Sequence, residues 1–175
     1  MKVFLGPGAT GGVSSLKPYV DGLAARGVEA RPVNLPGGNA ERAVPVYLQQ
    51  SGTGPDVVVG GRSYGGRVAS LAAAASEHDF AGLLLFAYPL HRPGFPDQLR
   101  TEHWRRIRCP TLFLSGDRDP FARLDLLKAK IKLISDARLE VFKGQGHGLL
   151  AVLDDALDIA ADFLQKNVRA AAGPG

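Results

Sequence analysis

Residues 57–67 read Val57-Val58-Val59-Gly60-Gly61-Arg62-Ser63-Tyr64-Gly65-Gly66-Arg67, and no other stretch restricts the fold as much. A β-branched run ends at paired glycines, and alanine-rich sequence with helical spacing begins at Tyr64. Gly61-x-Ser63-x-Gly65 at such a junction is the pattern of a sharp strand-to-helix turn. The residues two before and two after the serine must be glycine, because side chains there would collide. The serine is then held in a strained conformation at the carboxyl edge of the sheet. Its hydroxyl stands clear of the strands, and the next helix aims its positive N-terminus at any oxyanion formed there. The plainer alternative, a glycine turn carrying a surface serine, requires neither flanking element.

The rest of the chain repeats this alternation. Apolar runs at 2–5, 28–33, 56–60, 82–87, 111–115 and 139–142 predict strands, several apolar almost throughout, as strands covered on both faces are. Between them lie stripes with helical spacing: Leu16, Val20, Leu23 and Ala24; Val68, Leu71, Ala72 and Ala75; Leu124, Leu127 and Ile131. Val152, Ala156, Ile159, Ala160, Phe163 and Leu164 form a last amphipathic stripe. Parallel neighbours need crossover connections, so the pattern predicts an α/β fold: one doubly wound, mostly parallel sheet of about six strands without a large cap. Residues 1–169 are expected to form this domain, with 170–175 a disordered tail. The stretch 88–109 breaks the rhythm with Pro89, Pro93, Gly94 and Pro96, then Trp104 amid charges, which suggests a functional loop.

A serine hydroxyl attacks poorly until a base takes its proton, and the base needs a third group to fix its tautomer. In chain order after Ser63 come Gly116-Asp117-Arg118-Asp119-Pro120 and Gly144-Gln145-Gly146-His147-Gly148, each following a predicted strand. Serine, acid and histidine thus fall at three strand ends, where open α/β sheets bind ligands. Gly-x-x-Asp-Pro favours Asp119 over Asp117 as the acid, leaving Asp117 to bond nearby backbone. His78 reads as solvated; His91 and His103 lie in the irregular stretch and are expected at the surface. Asp154 and Asp155 open the last helix, where carboxylates suit the dipole. An oxyanion needs two backbone donors, expected from Tyr64 and from Gly8 or Ala9, since Pro7 has no N–H. Tyr88, Phe95, Trp104, Phe121 and Leu149 are expected to line an apolar substrate pocket.

Composition narrows the partners. Lys and Arg exceed Asp and Glu by a net charge of +4, but they are scattered from Lys2 to Arg169, which argues against a nucleic-acid face. The single cysteine, Cys109, precludes an internal disulfide or a cysteine-rich metal site, and its place before Pro110 suits packing. No histidine–carboxylate cluster has metal spacing, so no metal or cofactor is expected. No apolar run is long enough for a membrane span, and MKVFLGPG is too short for a secretory leader. A cytoplasmic monomer or small homo-oligomer acting on a small ester-like molecule is the expectation.

Together, GGRSYGGRVAS, the stretch YPLHRPGFPDQLRTEHWRRIRCPTLFLSGDRDPF and GQGHG resemble the small α/β-hydrolases related to dienelactone hydrolase, particularly their testis-expressed-protein-like branch. That resemblance spans nearly the whole chain. It implies a serine hydrolase acting on a carboxylic ester or similar acyl bond through an acyl-enzyme, with Ser63 as nucleophile, His147 as base and Asp119 as acid. Relatives often carry a histidine before the glycines of the first loop, where this chain has Leu5-Gly6-Pro7. Two other readings compete. One is a non-catalytic interaction module on the same fold. The other takes Gly6-Pro7-Gly8-Ala9-Thr10-Gly11 as a dinucleotide fingerprint. Pro7 in the turn and the lack of an acid after Val33-Asn34 weigh against that, and Gly12 stands where a phosphate-loop lysine belongs.

Overall fold

The apolar runs pair side by side as parallel strands in the computed structural model, which describes residues 1–75 and 79–171. They are β1 (Lys2–Gly6), β2 (Ala30–Pro32), β3 (Gly54–Arg62), β4 (Phe80–Phe86), β5 (Thr111–Gly116) and β6 (Ala137–Phe142), ordered β2-β1-β3-β4-β5-β6. Every pairing is parallel. Five helices run with them: α1 (Lys17–Ala24), α2 (Ala40–Ser51), α3 (Tyr64–Ala75), α4 (Leu124–Lys130) and α5 (Leu153–Ala171). The predicted α/β fold with six strands is what the chain adopts. Of the run expected at 28–33, only three residues pair.

Alternation along the strands divides the core in two. Val57, Val59, Leu83, Leu85 and Phe113 face α2, α3 and α4. Val58, Leu84, Phe86, Leu112 and Leu114 face α1 and α5. Period-two side-chain placement with both faces covered is why the central strands contain almost no polar residue.

Helix α2 has no counterpart in the predicted elements. Pro45 lies inside it, removing one helical donor and masking the pattern. It forms because Asn39 caps it, the side chain accepting from the Arg42 N–H at 3.0 Å, and because Tyr47 anchors it. The buried Tyr47 hydroxyl accepts from the Gly60 N–H at 2.9 Å and lies 2.7 Å from the Phe4 carbonyl oxygen, bridging β1 and β3. Burial raises its pKa.

Helix α5 continues through Ala170 and Ala171. The rest of the expected tail, 172–175, lies outside the described residues, as does His78. Among the described residues no helix is long and apolar enough to cross a membrane.

Candidate active site

Consecutive strands diverge at β1 and β3: the chain passes from β1 outward to β2, then returns to place β3 on the other side. The crevice above that divergence is where doubly wound sheets take ligands. Ser63 follows β3 there with φ at 48°, a conformation that costs a non-glycine residue about 1–3 kcal/mol. A Cβ on Gly65 would lie 2.1 Å from the carbonyl carbon and oxygen of Gly6, and one on Gly61 would lie 2.6 Å from the same oxygen. Both glycines are therefore required by the close approach of the β1 loop. That loop is tied down by the Gly65 N–H, which donates to the Pro7 carbonyl at 2.8 Å. The Ser63 N–H donates to the Phe86 carbonyl at 2.9 Å, fixing the turn to the end of β4.

The loops after β5 and β6 are locked together in the same way. A Cβ on Gly116 would lie 2.1 Å from the Gln145 carbonyl oxygen. Asp117 Oδ1 accepts from the Gly144 N–H at 2.7 Å, and the Arg118 N–H donates to the Gln145 carbonyl at 2.9 Å. Asp117 is thus a clamp between loops, and Asp119 is the carboxyl that reaches the histidine. His147 Nδ1–H donates to Asp119 Oδ2 at 2.8 Å, and the Ser63 hydroxyl donates to His147 Nε2 at 2.7 Å. Asp119 Oδ1 accepts from the Phe121 N–H at 2.8 Å, and its side chain is wholly buried. The Phe121 ring lies against the imidazole, centroids 4.3 Å apart. Ser63, His147 and Asp119 therefore form one hydrogen-bonded row drawn from three strand ends.

The N–H groups of Gly8, Ala9 and Tyr64 donate to no acceptor among the described residues. Tyr64 opens α3, so its N–H is one of the donors a helix cannot satisfy itself. Ala9 and Tyr64 both border a cleft of about 640 Å³ that opens at Ser63.

The walls of the cleft depart from the expected apolar pocket. Phe95 and Phe121 line it. Tyr88 and Trp104 do not: they pack in the core with Phe113, ring centroids 5.1–5.9 Å apart. The Tyr88 hydroxyl donates to the Arg100 carbonyl at 2.8 Å and receives the Trp104 indole N–H at 3.3 Å, so both polar ends are satisfied inside. Leu149 is buried in the opposite core. In place of these aromatics the cleft has Arg67, Arg92, Arg100 and Glu41. Sequence offered one signal for them: Arg67 lies four residues after Ser63, in the first turn of the helix that begins at Tyr64.

His91 and His103 are buried, not superficial. His91 Nδ1–H donates to the Arg92 carbonyl at 2.9 Å while Nε2 accepts from the Arg123 N–H at 3.1 Å, a closed structural role. His103 Nε2–H donates to Ser70 Oγ at 2.8 Å, and burial lowers its pKa to about 4, so the ring is neutral. Cys109 is also buried, and burial pushes its thiol up to about 12. The glycine-rich loop after β1 packs on the turn at Ser63 and leads into the short turn Val13–Leu16.

The family described as Alpha/beta hydrolase domain matches residues 19–172 of this chain. Among solved structures, Est1E from Butyrivibrio proteoclasticus, determined with ferulic acid bound, superposes with a TM-score of 0.80 at 15% identity, covering 96% of this chain and 89% of that one. A monoacylglycerol lipase from Paleococcus ferrophilus gives 0.76 at 14% identity, over 95% of this chain and 94% of that one. A predicted CIB-like hydrolase from Thermoplasma acidophilum gives 0.74 at 19% identity, over 94% and 86%. At these identities the structures speak to the fold alone.

Proposed function

Because the chain belongs to the Alpha/beta hydrolase domain family, we propose that it is a serine hydrolase cleaving a carboxylic ester or a similar acyl bond through an acyl-enzyme. One observation carries this reading. The Ser63–His147–Asp119 row, at 2.7 and 2.8 Å, stands on a strained turn at the mouth of the cleft. Proximity and orientation of this quality are what a hydroxyl needs to become a nucleophile.

In the proposed cycle His147 Nε2 takes the Ser63 proton as Oγ bonds to the substrate carbonyl carbon. The carbonyl electron pair moves to oxygen, which faces the free N–H groups of Tyr64 and of Gly8 or Ala9. Loss of one such donor typically slows acyl transfer by roughly 10²–10³. The imidazolium, steadied by Asp119, protonates the departing alcohol as the carbon–oxygen bond breaks. Water then enters, gives its proton to His147, and attacks the acyl-Ser63 ester; the second tetrahedral species collapses as the imidazolium returns that proton to the departing Ser63 Oγ, releasing the acid and the free enzyme. Asp119 orients the ring and offsets its charge, and Phe121 holds the ring plane.

Fluorophosphonate labelling of the purified protein, with the modified residue located by mass spectrometry, tests the assignment. Stoichiometric adduct at Ser63 is expected, lost in His147→Ala and reduced in Asp119→Asn. Hydrolysis of an activated ester by Ser63→Ala should fall by roughly 10⁴-fold or more. A well-folded protein that takes no label would overturn the reading and favour an interaction module.

A further inference from the structure

The cleft at Ser63 holds three guanidinium groups and a single carboxylate, Glu41. Glu41 is already engaged: its Oε1 accepts from Arg67 Nη2 at 2.7 Å, and its own backbone N–H together with Arg67 holds the carboxyl below its ordinary value. Arg67 is only 17% exposed, and its Nε is buried with no hydrogen-bond partner. Arg100 is half-buried, and its one acceptor among the described residues is the Pro89 carbonyl, 3.4 Å from Nη1. That is a long contact for a guanidinium donor. Burial, then the positive charge of Arg67, disfavours the Arg100 cation. Arg92 donates to Gln98 Oε1 at 2.9 Å and lies 4.9 Å from the Phe95 ring centre. No carboxylate lies within ion-pair distance of Arg92 or Arg100 among the described residues.

Two helix N-termini add to this field. Asn39 and Ala40 open α2, and Tyr64 opens α3, all on the cleft wall. Half-buried guanidinium groups without counter-charges are costly, and like charges side by side more so. Arg26, Arg31, Arg123 and Arg138 each meet a carboxylate, whereas Arg92 and Arg100 on the cleft wall meet none among the described residues.

We infer that the cleft recognises an anionic group, a carboxylate or a phosphoryl group, carried by the acyl substrate and held by Arg67 and Arg100 with Arg92 at the rim. This rests on the serine hydrolase reading and names the class of molecule hydrolysed. Planar guanidinium groups match both anions through paired hydrogen bonds, and water-poor surroundings strengthen such bonds. Phe95 and Phe121 supply apolar wall to the same cleft.

Two measurements test this. In the first, the protein hydrolyses two para-nitrophenyl esters of equal length: the mono-ester of adipic acid, ending in a free carboxylate, and its neutral methyl ester. The anionic ester is expected to have the higher kcat/KM by about tenfold or more, and Arg100→Gln should bring the ratio towards one. In the second, calorimetry on Ser63→Ala compares monomethyl adipate, dimethyl adipate and inorganic phosphate, with and without about 0.5 M salt to screen the field. Tighter, salt-sensitive binding of monomethyl adipate supports a carboxylate, and tighter binding of phosphate supports a phosphoryl group. Equal turnover and equal binding of charged and neutral esters would overturn the inference and leave the hydrolase reading standing. Charge-selective binding with no turnover of either ester would do the reverse.

Discussion

Gly65 shows how one atom can decide a site. It sits in helix α3, where alanine is ordinarily the better residue by roughly 1 kcal/mol. Here an added Cβ would meet the Gly6 backbone at 2.1 Å, and backbone yields far less readily than a side-chain tip. Gly65→Ala is expected to destabilise by about 1–3 kcal/mol or more, against its helix propensity, and to abolish labelling of Ser63. Gly66→Ala, whose Cβ would be 3.0 Å from the Gly61 oxygen, should be milder. Thermal melts and fluorophosphonate reactivity of both variants check this; a Gly65→Ala protein as stable and reactive as the parent would show that the β1 loop is free to move away. Asp117 and Asp119 teach a related lesson. Two identical side chains two residues apart take different work, one clamping the Gly144 N–H and one meeting His147, because the loop turns between them.

The segment between β4 and β5 is half core and half rim. Tyr88 and Trp104 are interior, whereas Phe95 is 49% exposed at the cleft edge. Arg100 joins the halves: its N–H donates to the Leu90 carbonyl at 2.8 Å and its carbonyl accepts from the Tyr88 hydroxyl. Deleting 93–100 removes both partners and leaves the buried Tyr88 hydroxyl proton without an acceptor. The expected loss is about 2–4 kcal/mol in urea unfolding, with substrate preference altered as well. Phe95→Ala should leave the unfolding midpoint nearly unchanged. An unchanged midpoint for the deletion would instead make the whole segment a dispensable flap.

Across the whole molecule, buried neutral histidine links stability to acid. His103 sits between Ser70 and the charges of Glu102, Glu41, Arg67 and Arg106, and burial is the main reason its pKa falls from 6.5 to about 4. The unfolded chain therefore binds a proton that the folded chain refuses between those values. This contribution is present in full above about pH 6.5 and is lost as the pH falls towards 4. His103→Gln, which keeps a donor for Ser70, is expected to flatten the unfolding free energy across that window when measured by denaturant titration at several pH values. A mutant curve parallel to the parent's would place the acid sensitivity elsewhere.

Local rules account for what was legible beforehand. Strand alternation, the glycines around Ser63, and the order of serine, acid and histidine follow from side-chain period and turn sterics, which act within a few residues of sequence. Those features were enough for the fold and for the three side chains that now lie in a row. Helix α2 was hidden because Pro45 contradicts helix locally, while its anchor, Tyr47, works only through contact with β1 and β3. Which aromatics of 88–109 turn inward, the burial of His91 and His103, and the gathering of Arg67, Arg92 and Arg100 around Ser63 depended on segments remote in sequence meeting in space. Sequence thus determined where the chemistry could stand, at the ends of three strands. Tertiary structure alone decided what surrounds it, because the direction of a side chain in an irregular segment is set by what packs against it.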